Sequence, residues 1–178
     1  MAMILVRHTT PRVAPDTCYG QTDLPLADSF DAEAQQVLAL LPPVARVITS
    51  PLQRCHQLAA FIAQECGLPL EIDPRLKEMD FGRWEGVLWR DVPRQELDEW
   101  AADFLYARPH GGENVARLRD RSQQALTDWS SHDETRLCVT HAGVIRAALS
   151  TGDTADDFNT KIEFGGLIQA PLKTGNIL

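Results

Sequence analysis

Short, unbroken apolar runs alternate along this chain with longer stretches in which apolar residues recur every three or four positions. Met3-Ile4-Leu5-Val6 has the pattern of a strand buried on both faces, and it ends abruptly in Arg7-His8. Val44 to Thr49 and Thr135 to Thr140 repeat the strand pattern. Between the first two runs, Phe30, Ala34, Val37, Leu38 and Leu41 follow helical spacing, with Asp28 or Ser29 as cap and Pro42-Pro43 as stop. Ser50-Pro51 predicts a second helix start, Ser as N-cap and Pro at the first helical position, and Gly67 ends that helix before a short strand at Leu68–Ile72. Trp89 to Tyr106 reads as a helical segment broken at Pro93, flanking or covering a site with Leu97, Trp100, Phe104 and Leu105 on its buried face. Glu113 to Trp129 buries Val115, Leu118, Ser122, Ala125, Leu126 and Trp129, and Val144 to Leu149 forms a further helix. Lys161–Phe164 and Leu167–Ala170, joined by Gly165-Gly166, predict a terminal hairpin. The alternation of strands and helices predicts an α/β fold, a three-layer α/β/α sandwich around a mostly parallel central sheet.

In an open parallel sheet, ligands bind at the carboxyl ends of the strands. Three predicted strand ends here carry Arg7-His8, Ser50-Pro51 with Arg54 in the following helical turn, and His141-Ala142-Gly143. A cation in a first helical turn is disfavoured by the helix dipole by roughly 0.3–1 kcal/mol, so Arg54 points to an anion that offsets the cost. Gathered in one crevice, these groups make a compact cationic pocket suited to a phosphoryl group. The stretch Arg75 to Gly86 sets Glu78, Asp80 and Glu85 among aromatic and apolar side chains. A carboxyl against apolar surface favours its protonated form and serves as a general acid, although the same three residues taken alone read first as a surface salt-bridge set. The loop Cys18 to Leu26 offers Gly20, Gln21 and Thr22 as a pocket rim or as a packed surface turn. His110, beside a loop proline, reads as exposed, and His56 and His132 fall on polar surface.

The length of 178 residues corresponds to a single domain, 1–178. Seventeen Lys and Arg against twenty-five Asp and Glu leave a formal charge of −8 with no basic run, which argues against nucleic acid or an acidic membrane as partner. A small anionic substrate remains compatible, since a local cationic cluster focuses field inside an acidic protein. Neither a secretion signal nor an apolar stretch of about 18 residues occurs. Cys18, Cys55, Cys66 and Cys138 are scattered, without a Cys-x-x-Cys pair, as expected for free thiols in the cytoplasm. Cys55 shares an apolar stripe with Leu52, Ala59 and Ile62, which assigns it to packing.

Taken in order, Arg7-His8, Ser50-Pro51-Leu52-Gln53-Arg54, Glu78 before Phe81-Gly82-Arg83-Trp84-Glu85-Gly86, Gly111-Gly112-Glu113-Asn114 and His141-Ala142-Gly143 span nearly the whole chain. Together they resemble the histidine phosphatase superfamily, which has a phosphoglycerate mutase-like fold. Arg7-His8-Thr9-Thr10-Pro11 and the run Cys18 to Leu26 are most similar to the α-ribazole phosphatase group. The resemblance implies a phosphomonoester hydrolase with His8 as nucleophile and Arg7, Arg54 and His141 holding the phosphoryl oxygens. It selects Glu78 over Asp80 and Glu85 as the proton donor to the leaving oxygen. It implies no cofactor and no metal, and a small phosphate ester, α-ribazole 5′-phosphate among the candidates, as substrate. Thr9 stands where the superfamily usually has Gly, and Asn114 where it usually has Ser. Three other readings compete: a phosphoglycerate mutase-type phosphotransferase, a non-catalytic phosphate-binding or protein-interaction module, and a metallohydrolase using His8, His141 and Glu78. The last is disfavoured because two arginines in one pocket repel a divalent cation and no His-Glu-x-x-His motif is present.

Overall fold

The computed structural model describes residues 3–130 and 133–170; His132 lies outside them. Five strands, β1 (Met3–Arg7), β2 (Arg46–Thr49), β3 (Leu70–Ile72), β4 (Arg136–Thr140) and β5 (Leu167–Ala170), form one sheet in the order β3-β2-β4-β1-β5. The first four run parallel and β5 runs antiparallel to β1. Successive side chains of a strand point to opposite faces, and here they enter two separate cores. Ile4, Val6, Val47, Leu137 and Val139 pack against α1 (Phe30–Leu40) and α2 (Gln53–Cys66). Met3, Leu5, Ile48 and Cys138 pack against α4 (Val115–Ser130) and α5 (Ala142–Leu149). The protein is therefore a three-layer α/β/α sandwich. A third cluster, Cys18, Trp84 and Val92 with Phe81, Trp89, Leu97 and Trp100, joins the first long loop to the 81–92 segment and α3 (Arg94–Ala102). Among the described residues, no helix is long and apolar enough to cross a membrane.

Two elements depart from the sequence reading. The terminal hairpin does not form. Only Leu167–Ala170 is a strand, and it pairs with β1. The Gly165 N–H donates to the carbonyls of Arg7 and His8, and the Arg7 N–H donates to the Gly166 carbonyl, so the backbone groups a hairpin would have paired are taken up at the end of β1. The second helix begins at Gln53, two residues later than Ser50-Pro51 predicts. The Ser50 N–H donates to the Val139 carbonyl, which keeps the chain extended, and the Asp23 carboxylate accepts from the Gln53 N–H at 2.8 Å in place of a serine cap.

Candidate active site

Strand register assembles the centre of the site. Arg7 lies opposite Thr140, and Thr49 opposite Val139. His8 and His141, the next residues on β1 and β4, therefore leave the sheet at one level, and Ser50 leaves β2 one residue below them. β1 and β4 are neighbours, yet β1 leads to α1 on one face and β4 to α5 on the other, so the crevice between them is a topological switch point. The rings of His8 and His141 stand 5.2 Å apart, edge to face, and both are buried.

His8 Nδ1 lies 2.7 Å from the Thr9 carbonyl oxygen. A carbonyl can only accept, so Nδ1 carries the proton and Nε2 carries the lone pair. Burial above all, then the charge of Arg54, lowers the His8 pKa well below the ordinary histidine value, against the pull of the Thr9 hydrogen bond. His141 is lowered likewise by burial first, then by His8 and Arg54. Its Nε2 stands 2.8 Å from Ser50 Oγ and 3.3 Å from Cys55 Sγ. Cys55 thus packs in the core, as its stripe predicts, and also touches His141.

Arg54 is completely buried. Its guanidinium donates to the carbonyls of Gly20 (2.6 Å) and Thr22 (2.8 Å), and these dipoles offset the unfavourable helix terminus that the sequence reading assigned to a bound anion. Its Nε–H, like that of Arg7, is buried without a partner. A buried donor left unpaired costs free energy, so two such N–H groups beside the histidines suit an acceptor brought by a ligand.

Glu78 accepts hydrogen bonds from the Gly143 N–H (3.0 Å), at the first turn of α5, and from its own neighbour Met79 (2.9 Å). A Cβ on Gly143 would fall on Glu78 Oε1, so only glycine allows this approach. Glu85 is occupied elsewhere. Its carboxylate accepts the N–H groups of Gln21, Thr22 and Phe81 and the Thr22 hydroxyl. Burial would raise its pKa, but these hydrogen bonds hold it below the usual carboxylate range. Asp80 caps the Gly82 N–H.

A cavity of about 320 Å³ opens beside His8, Arg7 and Glu78. Its walls include Phe81, Trp89, Trp100, Phe104 and Phe158, with Arg146 and Tyr19 as polar members. Gly20, Gln21 and Thr22, expected at the substrate rim, instead brace the site from the side of Arg54 and Glu85, while Thr17 and Tyr19 supply the cavity wall. Gly20 is required there, because a Cβ would fall on the Met79 carbonyl. His110, read as exposed, is only 1% exposed. Its ring packs 4.8 Å from that of Trp84, also contacts Phe81 and Trp100, and accepts from the Gly112 N–H, so it packs behind the aromatic wall.

The sequence reading missed Arg121. From α4 it grips the Glu113 carboxylate through two nitrogens and donates to the carbonyls of Arg75, Lys77 and Glu78. The available signal was a charged residue directly beside the buried Leu118, Ser122 and Ala125 positions of that helix. Asn114 caps α4 through Oδ1 to the Arg117 N–H at 2.9 Å, a role its predicted place at the turn allows.

Fold and site define an α/β protein with a buried histidine pair and two arginines at the carboxyl end of a parallel sheet. The chain belongs to the histidine phosphatase superfamily, branch 1, whose family model matches residues 3–159. It is 30% identical over 153 residues to the adenosylcobalamin/alpha-ribazole phosphatase of Escherichia coli, covering 82% of this chain and 75% of that one. Its fold is similar to the crystal structure of the alpha-ribazole phosphatase from Shigella flexneri, with a TM-score of 0.81, 26% identity, and coverage of 95% of this chain and 89% of that one. It is similar to the phosphoglycerate mutase from Thermus thermophilus with a TM-score of 0.75 at 27% identity, covering 95% and 92%. Phosphatases and mutases thus both stand among its relatives.

Proposed function

We propose that the protein hydrolyses a small phosphate monoester through a phosphohistidine formed on His8. The observation that carries this reading is the state of His8: a neutral ring, its Nδ1 proton held by the Thr9 carbonyl, with the lone pair of Nε2 free beside His141. Nε2 attacks phosphorus, the bond from phosphorus to the ester oxygen breaks, and Glu78 gives that oxygen a proton. Water then attacks phosphorus while Glu78, now a carboxylate, takes a proton from that water, the bond from phosphorus to His8 Nε2 breaks, and inorganic phosphate leaves. Arg7, Arg54 and His141 stabilise the charge that gathers on the phosphoryl oxygens. Two guanidiniums beside the nucleophile disfavour a divalent cation, which supports turnover without metal.

The leaving group occupies the aromatic cavity. Its wall of six aromatic rings, Tyr19 among them, favours a flat, weakly polar group, and beyond the phosphoryl end Arg146 is the one cation among its described lining residues. A ribose phosphate bearing an aromatic base, such as α-ribazole 5′-phosphate, fits this lining better than 3-phosphoglycerate, whose carboxylate would face aromatic surface. The test is a phosphate-release screen with EDTA present across α-ribazole 5′-phosphate, nucleotides, sugar phosphates and 3-phosphoglycerate. Release should be fastest from the esters with an aromatic base, and His8→Ala should abolish it. Isomerisation of 3-phosphoglycerate without net phosphate release would instead establish a mutase, and normal turnover by His8→Ala would remove the mechanism.

A further inference from the structure

The segment between α5 and β5 is stitched to the two residues that open the site. Gly165 N–H donates to the carbonyls of Arg7 and His8 at 3.0 and 3.2 Å, and Arg7 Nη1 donates to the Ile162 carbonyl at 2.6 Å. Ile162 is buried in the core below, which anchors this strap. At its turn sits Phe164, 37% exposed. It covers Arg7. The guanidinium carbon lies 3.7 Å from the ring centroid, and the same ring stands 5.5 Å from that of His8.

A guanidinium with one nitrogen committed to a carbonyl and one face closed by an aromatic ring has little freedom left. A side-chain hydrogen bond with Tyr19 ties the same guanidinium from a second direction, and its buried Nε–H is left without a partner. The ring also keeps water from that face of the cation, so the charge of Arg7 acts on its neighbourhood with less screening. We propose that Phe164 is a positioning residue: it stacks on Arg7 and fixes the edge of the guanidinium that receives the phosphoryl oxygens. The inference rests on the phosphohistidine reading given above and adds to it a residue outside the cavity.

The experiment compares Phe164→Leu, which keeps the apolar bulk and loses the π face, with Phe164→Trp, which keeps the face. The measurements are the inhibition constant of orthovanadate, kcat and KM for one phosphomonoester, and thermal melting to show that both variants are folded. Leu should weaken vanadate binding and lower kcat/KM by about 2- to 5-fold, the equivalent of the roughly 0.5–1 kcal/mol that a cation gains over a partly exposed ring. Trp should match the unaltered protein or exceed it. Equal values for Leu and the unaltered protein, or an equal loss with Leu and Trp, would overturn the role of Phe164 while leaving the enzyme reading standing. An unaltered protein that neither turns over nor binds vanadate would remove that reading and this inference with it.

Discussion

At the scale of single residues, the position of Glu78 depends on an atom that is absent, the Cβ of Gly143. The carboxylate sits against the first turn of α5 because nothing projects from residue 143 to displace it. Gly143→Ala should therefore separate activity from stability. Ala is the better helix former by up to about 1 kcal/mol, so the melting temperature should hold or rise. The displaced Glu78 should cost much of the roughly 10²- to 10⁴-fold that a positioned acid contributes. Glu78→Gln should show the same kinetic signature, slowing esters of poor leaving groups more than esters of good ones, because only the poor ones need the proton. Equal losses for both ester types in Glu78→Gln, measured under single-turnover conditions, would move the acid role to another group.

At the scale of elements, α4 holds the 75–78 segment in place through Arg121. The guanidinium and the Glu113 carboxylate are both largely buried, and three backbone carbonyls of the 75–78 segment depend on the same side chain. Removing one member of a buried pair leaves the other uncompensated, at a cost of roughly 3–5 kcal/mol. Arg121→Met should lower the urea midpoint accordingly, and adding Glu113→Gln should restore part of the loss; an additive double variant would show that the pair is not coupled. Arg121 also marks where reading the sequence stops. Arg7, His8 and His141 were legible because a run of apolar residues ending in a basic one is a local pattern, and the parallel register then brings the ends together. The strap at 162–166 and the brace around Glu85 were not legible, because contacts such as Gln21 to Glu85 and Arg7 to Ile162 join residues 64 and 155 positions apart, which only the tertiary fold brings together. His110 was misread for a related reason. A histidine beside Pro109 reads as loop surface, but the loop folds onto Phe81, Trp84 and Trp100, and the ring is buried by tertiary packing that its neighbours in sequence do not announce.

At the scale of the whole molecule, a chain of formal charge −8 buries a cationic centre whose imidazoles stay neutral, and this couples folding to pH. Burial, the largest cause for each, lowers the pKa of His8, His141 and His110 below the ordinary histidine value in the folded protein. In the unfolded chain the same groups titrate near 6.5. As pH falls through about 6.5 the unfolded state takes up protons that the folded state resists, so unfolding becomes easier; above that value both states are neutral at these sites and the effect vanishes. Each such histidine contributes a slope of up to about 1.4 kcal/mol per pH unit across the window. Burial would raise the folded pKa values of Asp73, whose carboxylate accepts from Arg75 and from the Trp129 indole, and of Glu85, but hydrogen bonds lower them; both act in the same direction, but their contribution is lost only as pH falls below the unfolded carboxylate range near 4. Urea unfolding at pH 7.5, 6.5 and 5.5 should therefore show a nearly flat step followed by a steep loss, and His141→Asn should reduce the slope of the second step by close to one proton. The kinetics carry the matching sign. With His8 neutral to well below 6.5, the acid limb of kcat/KM for a phosphomonoester should lie under that value, and an acid limb centred at or above 6.5 would mean that the nucleophile titrates as an exposed histidine does.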